Sequence, residues 1–352
     1  MCEVSVIIGA YEAMPYLVRC LESVEAQTIG ADRMEIVAVD DGSTDGTGEY
    51  LEEFAAASKI PTRVLRQANS GGPGGPRNVG LSLARGRYVF FLDADDYLGE
   101  EALERLVAMA DRAGTDVVLG KVEGVNRNAA KSMWAQNLEH ADIHTSNVKF
   151  TLSAQKLFRR ELLVRLGMRF DETMRTGEDA LFTMEAYMRG NGVSVVADYT
   201  CYYLVGRDDG KHVTKSGSYT LRFHSAQRLM ELIAAHEPPG ARRDQLMIRP
   251  FVVTLLPQFG PAVLKQSEEI LRHKMELAAP LMEEYWTPGV ARRLGGRDRQ
   301  RLACVAEGRA DLLKEALLAP AAPPRKVSFA RRVVRRLRRE VRRRLRGTRT
   351  AV

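Results

Sequence analysis

The sequence predicts an α/β protein: a mostly parallel sheet flanked by helices, followed by a helical C-terminal region. Three observations carry that prediction. Short apolar, β-branched runs recur at 3–8 (EVSVII), 35–39 (EIVAV) and 88–92 (YVFFL), with weaker ones at 62–65 and 116–119. Helical patterns separate them, at 14–27, 44–58, 78–85 and 100–113. Three of the runs end in polar clusters. Runs buried on both faces and alternating with helices are the signature of parallel βα units, and such sheets bind ligands beyond the carboxyl ends of their strands.

Taken in order, the first run ends at Ile8, before Gly9-Ala10-Tyr11, and the second at Val39, before Asp40-Asp41-Gly42-Ser43. The run at 88–92 ends before Asp93-Ala94-Asp95-Asp96. All three clusters therefore fall on one rim. Asp41 or Ser43 is expected to cap the second helix, because a short polar side chain satisfies its first free N–H groups. Residues 126–149 read as a loop, and a helical segment then carries Gly177-Glu178-Asp179-Ala180-Leu181-Phe182. A polar loop spans 206–218, and 219–318 reads as mostly helical with a break at Pro238-Pro239-Gly240. Pro320–Pro324 reads as a linker.

At 352 residues the chain is long enough for one large α/β domain and a smaller appendage. No stretch approaches the ~20 apolar residues that span a bilayer, and Met1-Cys2-Glu3 lacks the basic start of a secretory signal. A cytoplasmic protein is expected. The four cysteines, Cys2, Cys20, Cys201 and Cys304, form no C-x-x-C pair and suit free thiols in a reducing compartment. The net charge of +7 is divided unevenly. Residues 325–352 hold thirteen Lys or Arg and one acid, a net of +12, which leaves −5 for the rest. An anionic partner is thus expected for the tail and not for the body.

The chemistry of the rim can be narrowed. A dinucleotide site needs G-x-G-x-x-G after the first strand, and Gly9-Ala10-Tyr11-Glu12-Ala13-Met14 does not supply it. Asp93 and Asp95, leaving a buried strand one residue apart, can converge on a hard divalent ion that also holds phosphate oxygens; solvated turns and helix caps are the ordinary alternative for such a pair. The stretch Gly71–Asn78 (GGPGGPRN) is either a flexible turn or an anion-binding approach to a helix start, with Arg77 as a bidentate fork. Glu178-Asp179 is a candidate proton acceptor, or else an acidic pair favoured by a helix N-terminus. Tyr11 reads as a stacking or a packing aromatic.

Four segments in this order, VSVIIGAY, VDDGSTDGT, NSGGPGGPRNVG and FLDADD, resemble the nucleotide-sugar-binding half of the family 2 glycosyltransferases. The resemblance covers the first ~120 residues and implies a GT-A (Rossmann-like) fold and an inverting transfer from a UDP-sugar with Mn2+ or Mg2+ as cofactor. It implies that residues 1–120 form the nucleotide-sugar-binding half, 121–218 the acceptor-binding half, 219–319 a helical region, and 320–352 a linker and basic tail. Gly9 and Tyr11 would line the base site, with Tyr11 stacked on uracil and Asp41 bonded to its edge. Arg77 would support the base or diphosphate, Asp93 and Ala94 would meet the ribose or diphosphate, and Asp95 would bind the metal. Asp179, with Glu178 beside it, would be the acceptor base. In the loop after residue 205, His212 would be a further metal ligand, and Arg207 and Lys211 would close over the diphosphate; a solvated loop histidine is the plainer reading. The chain departs from the family at Gly9 and Glu12, where Pro and Asn are usual. Gly9 is expected to loosen the first loop, and Glu12 to bring a charge beside the base.

The spacing of GGPGGPRN, GED and DGKHVT looks most like the branch that decorates wall teichoic acid and related polyol-phosphate polymers. That branch implies N-acetylglucosamine as the sugar and a polyol-phosphate, glycan or lipid-linked acceptor. It also implies a homo-oligomer, with 219–318 serving assembly or polymer binding. The alternative is a non-catalytic protein that binds nucleotide sugar or an anionic polymer. In the tail, Val327, Ala330, Val333, Val334, Leu337, Val341 and Leu345 fall at helical spacing among basic residues. This suits a cationic amphipathic helix on an anionic membrane surface, peripheral on the inner face of the cell membrane. A basic arm, nucleic-acid contact or polymer docking fits the same residues.

Overall fold

A computed structural model describes residues 2–129, 131–207 and 218–319. The chain runs β1 (Val4–Ala10), α1 (Tyr16–Glu25), β2 (Met34–Asp40), α2 (Thr47–Ala57), β3 (Thr62–Arg66), α3 (Gly74–Leu83) and β4 (Tyr88–Asp93). It continues through β5 (Tyr97–Leu98), α4 (Ala102–Ala113), β6 (Val117–Val125), β7 (Leu157–Arg159), α5 (Arg160–Arg165), α6 (Glu178–Arg189) and β8 (Val193–Val205). Helices α7 (Tyr219–His236), α8 (Ala241–Arg249), α9 (Glu268–Tyr285), α10 (Pro288–Arg293), α11 (Gly296–Ala306) and α12 (Ala310–Leu318) follow.

One eight-stranded sheet has the order β3-β2-β1-β4-β7-β6-β8-β5. Its first half is parallel, with β1 between β2 and β4 and β3 outside β2. Beyond β4 the sheet is mixed: β7 is antiparallel to both β4 and β6, β8 runs parallel to β6, and β5 caps the edge antiparallel to β8. The sequence predicted the parallel half, because central parallel strands are apolar on both faces. The short β7 and the two-residue β5 are too brief to leave a periodicity.

Strand alternation feeds two cores. Val4, Val6 and Ile8 join α1 and α4 on one face, while Ile7, Val89 and Phe91 join α6 and the C-terminal helices on the other. Phe223, Leu229, Met230 and Ile233 of α7 share that second core with Phe158 and Phe182, so the helical region completes the sheet's own interior. One expectation from the sequence is corrected here: the run Ala241–Lys265 is long and apolar enough to cross a membrane by length and composition. Half of its most apolar 18 residues are buried, and Leu246, Met247, Phe251, Leu255 and Phe259 lie inside this core. Residues 126–149 hold, among the described residues, one isolated bridge, Leu138 to Val195, and no strand.

Two local expectations are corrected. Helix α2 starts at Thr47 and neither Asp41 nor Ser43 caps it; Gly46 occupies the cap in a left-handed conformation, φ 90°. Asp45 instead accepts from the Thr47 N–H at 3.1 Å and the Met14 N–H at 2.9 Å. Helix α3 starts at Gly74, not Asn78. Pro76 is tolerated there because the N–H groups of a first turn have no intrahelical partner to lose, and Arg77 therefore stands in the first turn.

Helix α3 lies close on the sheet through glycine. A Cβ added at Gly80 would meet Ile7 Cγ2 far inside van der Waals contact. Ile7 is fully buried and stiff at χ1. Gly80→Ala is therefore expected to lower unfolding stability by about 1–2 kcal/mol despite alanine's better helix propensity. Urea denaturation reads the difference; a gain would show that α3 can rise off the sheet freely.

Candidate functional site

The carboxyl ends of β1, β2 and β4 place the predicted clusters on one rim. At the end of β2, Asp41 is buried and accepts from Gln67 Nε2 at 2.6 Å, the Ser70 N–H at 3.1 Å and Ser70 Oγ at 2.9 Å. These bonds fold residues 67–70 against the rim. Gly42 makes room for them: it has φ 81°, and a Cβ there would sit 2.8 Å from the Asn69 nitrogen. Tyr11 is 52% exposed, so its ring presents an open face at the rim.

Gly9 and Glu12 correct the sequence reading. Gly9 lies inside β1, paired with Val39 and Asp93, and so does not loosen a loop. A Cβ there would come within 3.2 Å of the Pro76 ring, and its absence lets α3 approach the strand. The Glu12 carboxylate accepts from the Thr44 N–H at 2.8 Å and Thr44 Oγ1 at 3.0 Å, while the Glu12 N–H donates to Ser43 Oγ at 3.0 Å. Its charge thus clasps the loop after β1 to the loop after β2. Arg207 closes on the same point: Nη2 donates to the Glu12 carbonyl at 2.9 Å, and the guanidinium carbon lies 5.1 Å from the Tyr16 ring centre.

The centre of the site is Arg77. Its Nη2 donates to Asp93 Oδ1 at 2.7 Å and its Nη1 to Glu178 Oε1 at 3.0 Å. The guanidinium also lies 5.4 Å from the Phe170 ring centre. Burial opposes the charge, but Asp93, Glu178 and Asp179 outweigh it and hold the group above its ordinary pKa. Asn78, the next residue, exchanges hydrogen bonds with the Phe170 backbone at 2.8 and 2.9 Å and donates to Glu172 Oε1 at 2.7 Å. Phe170 stacks on Phe182 of α6 at 4.1 Å. One helical turn therefore fixes both the end of β4 and the start of α6.

Asp93-Ala94-Asp95-Asp96 turns tightly, with the Asp96 N–H donating to the Asp93 carbonyl at 3.0 Å. Ala94 is buried, packed in the core on the face of α1 and α4. Asp96 faces inward and accepts from Tyr202 Oη at 2.6 Å and the Val205 N–H at 2.7 Å, tying the turn to β8. Burial, with Asp93 and Asp95 nearby, raises its pKa to about 8. Asp95 is half-buried in the same turn. Burial and Asp93 raise it to about 6, against Arg207. A half-buried carboxylate of this kind beside a second one is a donor set that fits Mg2+ or Mn2+. No group of three metal-ligating side chains occurs among the described residues, so such an ion would complete its shell with phosphate oxygens and water.

On the opposite side Glu178 and Asp179 open α6, after Gly177 with φ 87°. Glu178 is buried on Arg77; burial and Asp179 raise it to about 7, against Arg77. Asp179 is raised by burial and restrained by Arg77, Arg249 and Lys156. Its Oδ1 accepts from the Ala180 N–H at 2.7 Å. Thus Arg77, Asp93, Glu178 and Asp179 come together, Asp95 and Arg207 share one electrostatic neighbourhood, and Asp41 and Tyr11 stand along the rim. His212 and Lys211 lie outside the described residues. The sequence reading missed Asp96, Asn78, Glu172, Lys156 and Arg249. Asp96 and Asn78 lie within the rim motifs, Glu172 and Lys156 sit in segments without a pattern, and Arg249 lies in the helical region, where periodicity does not show what it approaches.

A parallel βα half with an acidic turn joined through Arg77 to a second acidic pair is the arrangement of a GT-A-type glycosyltransferase, and known protein families match it. Residues 5–170 match glycosyl transferase family 2, and residues 221–317 match the glycosyl transferase TarS linker domain. The chain thus carries a glycosyltransferase family 2 domain over residues 5–170. It is 36% identical over 247 residues to the poly(ribitol-phosphate) beta-glucosyltransferase of Bacillus spizizenii, covering 70% of this chain and 39% of that protein. It is 35% identical over 249 residues to the poly(ribitol-phosphate) beta-N-acetylglucosaminyltransferase TarS of Staphylococcus aureus, covering 70% and 43%. The chain thus spans about two fifths of the length of these relatives. The structure of S. aureus TarS 1-349 in complex with UDP-GlcNAc superposes with a TM-score of 0.79 at 29% identity, covering 90% of each chain.

Removing the guanidinium leaves Glu178 buried without a counter-charge. Arg77→Met is expected to cost about 3 kcal/mol at pH 8. The deficit should shrink at pH 6, because a carboxyl already raised to about 7 then takes a proton. Urea unfolding at the two pH values measures both; a pH-independent deficit would locate the loss elsewhere.

Proposed function

We infer that the protein is an inverting glycosyltransferase that moves a sugar from a UDP-sugar to a hydroxyl of a polyol-phosphate polymer of the teichoic-acid type. The Arg77 bridge carries this reading, because it sets the acidic turn after β4 and the acidic start of α6 on opposite sides of one cleft. The names of the relatives support the acceptor and restrict the sugar to N-acetylglucosamine or glucose, with N-acetylglucosamine preferred.

In this reading Tyr11 stacks on uracil, Asp41 meets its edge, and Gly9 acts by letting α3 approach the end of β1. Asp93 and the Ala94 backbone hold the ribose or diphosphate, and Arg77 orients Asp93. Asp95, with His212, would hold Mn2+ or Mg2+, which neutralises charge on the departing diphosphate. Arg207 and Lys211 would close over that diphosphate. Asp179 takes the proton of the acceptor hydroxyl as its oxygen bonds to the anomeric carbon from the face opposite the leaving group. The bond from that carbon to UDP breaks, its electron pair leaves with UDP, and the anomeric configuration inverts. Glu178, held by Arg77, fixes the start of α6 beside Asp179.

UDP release should appear with one of UDP-GlcNAc and UDP-glucose, a ribitol-phosphate polymer and Mn2+ or Mg2+. Asp95→Ala and Asp179→Asn should each reduce it by at least about a hundredfold. Absence of binding to any UDP-sugar in the presence of metal would end this reading.

The charge of residues 325–352 suits an anionic membrane surface at the inner face of the cell membrane, and the helical region suits polymer binding or self-assembly. Deleting 320–352 should leave transfer to a soluble acceptor intact and abolish co-sedimentation with phosphatidylglycerol vesicles. Loss of transfer together with retained vesicle binding would reverse that division of labour.

A further inference from the structure

Lys156 is 2% exposed and stands with Phe158 and Phe182 among the largest wholly buried side chains of the described protein. It is the only charged residue in that group. Its Nζ donates to the Ser153 carbonyl, and no carboxylate lies within ion-pair distance of it among the described residues. An ammonium has three donors, and burying one with so little compensation costs several kcal/mol. Leucine or methionine would fill the same space without that penalty.

The position of the ammonium accounts for the charge. Thr183 Oγ1 of α6 donates to the same Ser153 carbonyl at 3.2 Å. Thr183 follows Asp179 by four residues, so the two side chains lie one above the other on one helix face. Lys156 is thereby anchored one turn below Asp179, and Asp179 is the one acid whose charge reaches it. The other charged groups that face Asp179 are Arg77 of α3, Arg249 at the end of α8 and the neighbouring Glu178. Arg249 is itself tied to Thr254 Oγ1 at 3.1 Å, with a buried Nε that has no partner.

We propose that Lys156 is a positioning residue that keeps Asp179 ionised and ready to accept a proton, acting from beneath α6 without bonding to the carboxylate. The inference rests on the reading of Asp179 as the acceptor base. A direct salt bridge would occupy the oxygen that must receive the hydroxyl proton, whereas an ammonium set back by one turn stabilises the negative charge and leaves that oxygen open. Burial pushes the Asp179 carboxyl up and Asp179 in turn opposes the fall of the lysine, whose pKa burial lowers to about 7. Each group therefore opposes the effect of burial on the other. During transfer the proton passes from the acceptor hydroxyl to the carboxylate, and Lys156 keeps its own.

Lys156→Gln retains a donor for the Ser153 carbonyl and removes the charge; Lys156→Met removes both. Wild type and the two variants are assayed for UDP release with UDP-GlcNAc and a ribitol-phosphate polymer between about pH 5.5 and about pH 9. Loss of the cation raises the pKa of the base, so the acid limb of kcat should move to higher pH in both variants. A shift of about one unit lowers kcat about tenfold on that limb and leaves the alkaline plateau close to wild type. KM for UDP-GlcNAc should stay unchanged. An unmoved limb, with thermal unfolding and UDP binding preserved, would make Lys156 a packing residue and overturn the inference. Failure of both variants to fold and bind UDP would assign it to folding and do the same. Asp179→Asn in the same series separates the two claims: retained activity would remove the base itself, whereas an inactive variant beside unshifted lysine variants would remove only the role of Lys156.

Discussion

The fork of Arg77 is the interaction on which the site depends. Its two arms reach carboxylates 16 and 101 residues away in the chain, and so join the end of a central parallel strand to the first turn of a helix from the mixed half of the sheet. A lysine would offer one point charge where the geometry needs a planar, two-armed donor. Everything that brings Arg77 to this place is local to α3. Gly9 and Gly80 let the helix lie against β1, the prolines at 73 and 76 fit its unbonded first turn, and Asn78 clips the segment before α6. Phe170, beneath the guanidinium, then continues into the stack with Phe182 and the edge-on contacts with Phe91.

The fork leaves the cleft with an imbalance of charge. Asp93, Glu178 and Asp179 gather around Arg77, with Asp95 and Asp96 following Asp93 in the turn, and burial with neighbouring acids raises the pKa of Asp95, Asp96 and Glu178 to about 6, 8 and 7. The protein answers this unevenly. Asp96 is satisfied from within by Tyr202 and Val205, which turns one acid into a strut that pins β8 under the turn. Glu178 is answered by Arg77. Among the described residues Asp95 has no comparable pair of bonds, and its charge is tempered by Arg207, itself engaged with the Glu12 carbonyl. Negative charge at Asp95 would repel an anionic diphosphate, which is why the proposed reading places a divalent cation between them.

This uneven division also explains what could be read from the chain. The three rim clusters were legible because each is contiguous and follows a strand whose apolar run is unmistakable. The roles of Gly9 and Glu12 were misread because both were judged against neighbours in sequence. Gly9 answers to Pro76, and Glu12 to Thr44, on other loops. The cap of α2 failed for a related reason: Asp41 had stronger partners across the rim in Gln67 and Ser70 than the nearby helix N–H groups could offer. Periodicity states which face of an element is buried and is silent about which distant segment covers it. Lys156 shows the limit most clearly, for it lies in a stretch with no regular pattern, and its meaning comes from a helix that begins 22 residues later.

The two sides of the cleft consequently differ in kind. The rim at the ends of β1, β2 and β4 is assembled from βα turns, whose backbone geometry is set by the sheet and whose polar residues are contiguous in sequence. The side bearing Asp179 is assembled from α6, the segment before β7 and the end of α8, elements drawn together only because the C-terminal helices share a core with the sheet. Arg249 reaches the neighbourhood of Asp179 from that helical region. The helices after residue 219 therefore do more than cover apolar surface: they help set the charge around the start of α6, and a change in their packing would be felt at Asp179 even with every rim motif intact.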